Sequence, residues 1–198
     1  MPSPSDFSVE RLTASSFRPI QTTVEPGPGE ALRELSEVLW REREQLELVL
    51  FKLEEQRLLM FDGQSRWVGH ASREVEVVLD QLGQMELSRA LATAVAAAHL
   101  GLVGDATLRT IGYGAPSPWP SVIGRHLAAL QRLAGQILTL AAVNRGLLNE
   151  ALGQLRAVLS SGPARASTRV LVDAAAYQAA LAINERVLHP SLVDAVRH

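Results

Sequence analysis

The chain contains no cysteine among its 198 residues, and only 5% of them are aromatic. Without cysteine the protein can form neither disulfide bonds nor thiolate metal sites, which is compatible with a reducing cytoplasm. A net excess of charge is also lacking, because 19 basic residues nearly balance 21 acidic ones. The formal net charge of −2 gives no support to binding of nucleic acid or of an anionic membrane surface. Aliphatic residues are abundant instead, and a hydrophobic content of 47% predicts one helical domain packed by leucine and alanine.

Long uninterrupted apolar runs are missing as well. The most apolar stretch, Ala90–Val103, contains His99 and is shorter than the ~20 residues that a membrane-spanning helix needs. The N-terminus shows no basic segment followed by an apolar one, so no secretory signal is expected. These absences predict a cytoplasmic protein without a membrane span.

Enzyme motifs are also lacking. Gly112-Tyr113-Gly114 has neither the preceding strand nor the third glycine of a dinucleotide-binding loop, and no Gly-x-Ser-x-Gly occurs. The histidines form no i, i+4 pair and no HExxH motif, so no metal site is expected; they are His70, His99, His126, His189 and His198. The basic residues of the first two helices are interpreted as solvated helix faces paired with glutamates: Arg41, Arg43, Lys52, Arg57 and Arg89. The prediction is a protein that is not an enzyme and needs no cofactor.

Apolar periodicity predicts an all-α fold, an antiparallel three-helix bundle of long, coiled-coil-like helices. Residues 1–28, rich in proline and serine, are expected to form a disordered arm. A helix from Glu30, closed by Asp62-Gly63, and a second from about Val68 to Gly101 should form a hairpin because the gap between them is short. The bundle domain is placed at 29–161 and a C-terminal helical tail at 162–198.

The second half of the chain contains a crossover, a long helix and a weaker one. Asp105–Ile111 predicts one or two helical turns, and Gly112–Pro120 predicts an irregular crossover. The long helix should follow to Ser160, where 161–163 (Ser-Gly-Pro) end it. The segment 167–198 is expected to be a more mobile helix, broken before Pro190.

The long helix carries an apolar stripe with one amide in it, Asn144. Alternating steps of three and four place on one face Leu127, Leu130, Ala134, Ile137, Ala141, Asn144, Leu148, Ala151, Leu155 and Val158. A buried amide is tolerated where a partner satisfies it or where it sets a register, and both interpretations stay open for Asn144. At 1.5 Å per residue the Ile123–Leu159 helix spans ~55 Å and the Glu30–Phe61 helix ~48 Å. The excess apolar face must be covered by the C-terminal helix, by a second copy or by a bound partner.

Several segments, taken in order, resemble FlgN-type flagellar export chaperones of the actinobacterial kind. They are Gly63–Val68, Glu74–Leu79, Glu86–Ala90, Leu100–Leu102, Thr107-Leu108, Ala115–Trp119 and Asn144–Leu148. The resemblance covers roughly residues 30–162. It implies a non-enzymatic cytoplasmic chaperone that binds the helical C-terminal segments of hook–filament junction proteins (the FlgK and FlgL type) and delivers them to the flagellar type III export gate. A tyrosine in the tail, here Tyr177, is by this resemblance a candidate contact to the gate.

Independently of the family, a helix that will assemble into a filament has an apolar face with nothing to pack against before assembly. A helical groove can hold such a face through anchors at i, i+3, i+4 and i+7. The spare apolar faces of this chain lie on the second half of the long helix and on the tail. The predicted partner-binding residues are Asn144, Leu148, Ala151, Leu155, Val158, Val170, Leu171, Tyr177 and Leu181. A homo-oligomer of the free protein stays open as an alternative way of covering these faces. The alternative function is a coiled-coil adaptor or scaffold of a secretion or division complex.

Overall fold

The computed structural model of the protein describes residues 27–104, 106–160 and 168–189. These residues form five helices and contain no strand: α1 (Pro28–Phe61), α2 (Ser65–His99), α3 (Leu108–Gly114), α4 (Trp119–Ser160) and α5 (Thr168–Val187). The predicted all-α helical bundle is confirmed. The predicted arm lies outside the described residues except at its end, where Pro28 already belongs to α1. The predicted helix stop at 161–163 also lies outside them.

Helices α1 and α2 form the predicted antiparallel hairpin. Side-chain hydrogen bonds join Gln56 to Ser72 near the turn and Glu42 to Arg89 farther from it, so the separation along the chain grows away from the turn. The turn contains Gly63 at a φ of +68°, a conformation that glycine adopts without steric cost. Helical periodicity predicts an apolar seam on α1, and its last member, Met60, is only half-buried. The other members are buried: Leu32, Leu35, Leu39, Leu46, Val49 and Leu53.

The crossover is more helical than predicted. Its start is set by a capping box in which Thr107 and Thr110 bond each other's backbone N–H, so α3 begins at Leu108 and runs to Gly114. The prediction that Gly112–Pro120 is irregular was therefore wrong at both ends. Pro120 lies in the first turn of α4, where its missing N–H removes no helical hydrogen bond.

Helix α4 runs parallel to α1, as the crossover requires. Ser36 bonds His126 at 3.0 Å near one end, and the Leu53 carbonyl accepts from Asn144 at 2.9 Å farther along. Helix α5 then runs parallel to α2, because Ala176 lies against Gly69 and Arg186 pairs with Asp80. The predicted three-helix bundle is present, and α5 packs against α2 and α4 as a fourth helix beside the hairpin turn.

Arg89, which was predicted to lie on a solvated helix face, forms a largely buried ion pair instead. Glu42 is 1% exposed, and its Oε1 accepts from Nε of Arg89 at 3.1 Å. Burial raises the pKa of Glu42 to about 7, and the charge of Glu86 acts in the same direction. The charge of Arg89 lowers this pKa but does not offset the effect of burial. The prediction of a solvated face was therefore wrong for Arg89, because this residue lies where the seams of α1 and α2 meet.

None of the helices described is both long enough and apolar enough to cross a membrane. Within the same residues, no group of three histidines, aspartates or glutamates is placed to hold a metal ion.

Candidate functional site

The apolar interior is divided into two clusters. The main core lies between α1, α2, α3 and the first half of α4, and Ile183 and Val187 of α5 reach it. The second, here called the tip cluster, lies beside the turn that joins α1 to α2. Its buried residues are Val68, Leu148, Leu152, Tyr177 and Ala180, and half-buried Leu59, Met60, Ala151, Leu155 and Leu181 pack against them.

A layer of polar side chains, here called the amide layer, separates the two clusters. It consists of Gln56 on α1, Ser72 on α2, Asn144 on α4 and Asn184 on α5, each at most 1% exposed. Gln56 Oε1 accepts from Nδ2 of Asn144 at 3.0 Å and from Nδ2 of Asn184 at 2.8 Å. Gln56 Nε2 donates to Ser72 Oγ at 2.8 Å, and that hydroxyl donates to the Val68 carbonyl. Gln56 of α1 is thus connected to α2, α4 and α5.

The orientation of Asn144 follows from its neighbours. Its Nδ2 lies beside two acceptors, the Leu53 carbonyl and Gln56 Oε1, so the nitrogen must be the atom that faces them. Nδ2 of Asn184 likewise faces Gln56 and the Ala180 carbonyl. The oxygens of both asparagines are buried and receive no hydrogen bond from the described residues. A buried acceptor without a donor costs free energy, so the layer is short of donors.

The predicted partner-binding residues fall into three groups. Asn144 lies in the amide layer, where it is inaccessible in this structure. Five belong to the tip cluster: Leu148, Ala151, Leu155, Tyr177 and Leu181. The other three lie outside both clusters, with Val158 40% and Leu171 53% exposed and Val170 half-buried.

Tyr177 connects α5 to the start of α2. Burial, followed by the charge of Asp173, raises the pKa of its phenol, while a hydrogen bond with Ser65 acts in the opposite direction. The phenol therefore stays protonated at neutral pH. The ring is 9% exposed, so in this conformation it packs as a core residue.

Gln56, Ser72 and Asn184 were not predicted to belong to the site. Gln56 sits on the apolar seam of α1, and a second amide on a second seam was the available signal that Asn144 has a partner. Asn184 follows Tyr177 by seven residues, the spacing of one helical face. Ser72 gave no signal, because serine is common on solvated helix faces.

The fold and the site define a class of protein: a bundle of long helices whose last described helix, α5, closes a separate apolar cluster. The sequence model of the family described as "FlgN protein" matches residues 31–168, so the chain belongs to the FlgN family. This is a family of flagellar export chaperones that bind hook-associated proteins, and not a family of enzymes. No curated protein and no solved structure shows a significant match.

Proposed function

We propose that the second half of α4, together with α5, binds the helical C-terminal segment of a hook–filament junction protein in the cytoplasm. The chaperone then delivers this protein to the flagellar type III export gate. The observation that carries the proposal is the division of the interior by the amide layer. A cluster separated from the main core can open to a partner while the hairpin and the first half of α4 stay folded.

The chemistry of the tip cluster fits an amphipathic helix. Apart from Tyr177, its side chains are aliphatic or methionine, and α5 itself shows that a helix packs against α2 and α4 at this place. A partner helix with apolar residues at i, i+3, i+4 and i+7 would bury the face that is otherwise exposed before assembly. Affinity would come from apolar burial, at about 25 cal/mol per Å² before the costs of association.

Leu155→Asp tests this proposal. Leu155 is half-buried at the edge of the tip cluster, where a carboxylate covered by an apolar partner helix would be desolvated and unpaired. We expect the variant to keep its helical circular dichroism and its cooperative melt, but to lose capture of a junction protein in a pull-down.

Val143→Asp is the matched control. It places the same carboxylate on α4 at a position that is 46% exposed and outside both clusters, so capture should be unchanged. If Leu155→Asp unfolds the whole protein, this part of α4 is integral core and the partner binds elsewhere. Co-purification from the source cell addresses the alternative, because an adaptor would bring down a secretion or division complex instead of a filament-junction subunit.

A further inference from the structure

Helix α5 occupies the groove between α2 and α4 as a partner helix would. Its buried face reaches both clusters, with Tyr177 and Ala180 in the tip cluster and Ile183 and Val187 in the main core. Asn184 belongs to the amide layer and lies on the same face, between Ile183 and Val187 along the helix. The groove therefore demands apolar side chains on both sides of one uncharged polar position.

The fit of α5 at that polar position is incomplete. Asn184 donates to Gln56 Oε1, which already accepts a hydrogen bond from Asn144. Its donor is therefore given to an acceptor that is already satisfied. It also brings an oxygen of its own that receives no donor, and it leaves Oδ1 of Asn144 without one. With α5 in place, two buried acceptors around Gln56 lack donors.

We infer that the partner helix replaces α5 in the groove between α2 and α4, and that it presents an uncharged hydrogen-bond donor at the level of Asn184. This inference rests on the proposed function of the site on α4, and it makes α5 the helix that the partner displaces and not a part of the binding surface. A hydroxyl at this level can donate to the Asn144 oxygen, and the oxygen of Asn184 returns to water when α5 leaves. A charged donor is excluded, because the amide layer is fully buried and contains no carboxylate to pair with it.

Replacement also follows from the geometry. A helix added outside α5 would leave the oxygens of Asn144 and Asn184 without a donor, since both side chains are fully buried while α5 is in place. A helix in the place of α5 reaches the layer directly. Satisfying one buried acceptor is worth about 1–3 kcal/mol, which corresponds to an affinity gain of about 5- to 150-fold over a helix without the donor.

Two synthetic peptides of residues 168–187 test the inference on the full chain, one with Asn184→Thr and one with Asn184→Val. Threonine and valine have nearly the same shape and differ by one hydroxyl, so the pair isolates the donor. In a groove indifferent to donors, the valine peptide binds more tightly because the hydroxyl is desolvated. We expect the threonine peptide to bind about tenfold more tightly by fluorescence anisotropy.

The control pair carries Gln178→Thr and Gln178→Val, at an exposed position of α5, and these two peptides should bind alike. Hydrogen exchange followed by NMR on the isotope-labelled chain, with unlabelled peptide, reports on the chain's own α5. Saturation with the threonine peptide should remove protection from Tyr177–Val187. In an Asn144→Leu chain the preference should change to valine, because the unsatisfied oxygen is gone.

A valine peptide that binds the unmodified chain as well as the threonine peptide overturns the requirement for a donor. Failure of all peptides to bind, or binding that leaves α5 protected, overturns replacement. Either result can be separated from failure of the proposed function. If Leu155→Asp still abolishes capture of a junction protein, the site on α4 stands and only the mode of binding is wrong.

Discussion

The side chain of Asn144 contributes two donors that are used and one acceptor that is not. Each of its acceptors has another donor, because Gln56 Oε1 also accepts from Asn184 and the Leu53 carbonyl lies within α1, where it accepts the N–H four residues on. Removing the amide therefore leaves no acceptor orphaned and removes one orphaned oxygen. By this argument Asn144 determines which helix fits and in which register more than it determines stability.

Asn144→Leu should keep or raise the melting temperature while it weakens capture of the partner or changes the oligomeric state. A thermal melt read beside a binding titration checks both parts. A loss of about 1–3 kcal/mol in the free energy of unfolding would mean that the two hydrogen bonds of Asn144 are net stabilising. Unchanged binding would remove Asn144 from the site.

At the scale of the element, α5 differs from the other long helices in how it is held. Its first part includes Leu171 and Val172, which are 53% and 61% exposed, and its buried residues are concentrated from Tyr177 onward. Helix α1, by contrast, is buried along one face from Ala31 to Gln56. A 20-residue helix held over half its length opens at lower free energy than a helix packed from end to end.

Hydrogen exchange should therefore show Val170–Val187 less protected than Leu46–Leu53 in the free protein. The main-core residues of α2 from Val75 to Leu82 provide an internal comparison, since α5 packs against this helix and the hairpin holds it independently. Equal protection of α5 and α1 would show that the bundle opens only as a whole. That result would contradict both the mobile tail and replacement by a partner.

At the scale of the whole molecule, the buried Glu42 links stability to pH. Its pKa is about 7 in the folded protein against an ordinary value of 4.5, so between these values the folded state holds a proton that the unfolded state has released. Glu42 therefore makes its full contribution to the free energy of unfolding below about pH 4.5. This contribution is lost as the pH rises through about 7, and its upper limit is about 3 kcal/mol.

Urea unfolding from pH 5 to pH 8 tests this prediction on the unmodified chain and on Glu42→Gln. The difference in unfolding free energy between them should fall as pH rises. The comparison is needed because two other groups also link stability to pH. Burial raises the pKa of Glu86, which acts on stability in the same direction as Glu42. Burial and nearby arginines lower the pKa of His126, which acts in the opposite direction. Glu44→Gln, at an exposed position of α1, is the control, and its free energy of unfolding should depend on pH as that of the unmodified chain does. The same pH dependence in Glu42→Gln would contradict the prediction.

The sequence by itself determined the elements and their buried faces. Leu32–Leu53 and the stripe from Leu130 to Leu148 lie on the faces predicted for them, because helical periodicity is a local property that shows which side of a helix avoids water. The short gap at Asp62-Gly63 likewise determined the hairpin. The crossover was less predictable, because the capping box at Thr107 and the helix start before Pro120 depend on single residues whose patterns also fit turns.

Only the tertiary structure decided which faces meet. The hydrogen bonds of Gln56 reach Asn144 across 88 positions and Asn184 across 128, and periodicity contains no information on pairing over such distances. The same holds for Arg89, because its charge predicts a solvated position and its partner, Glu42, lies on another helix. A buried polar group is stable only with its particular partners. The amide layer, and with it the position of α5, therefore became defined only when four helices were in place.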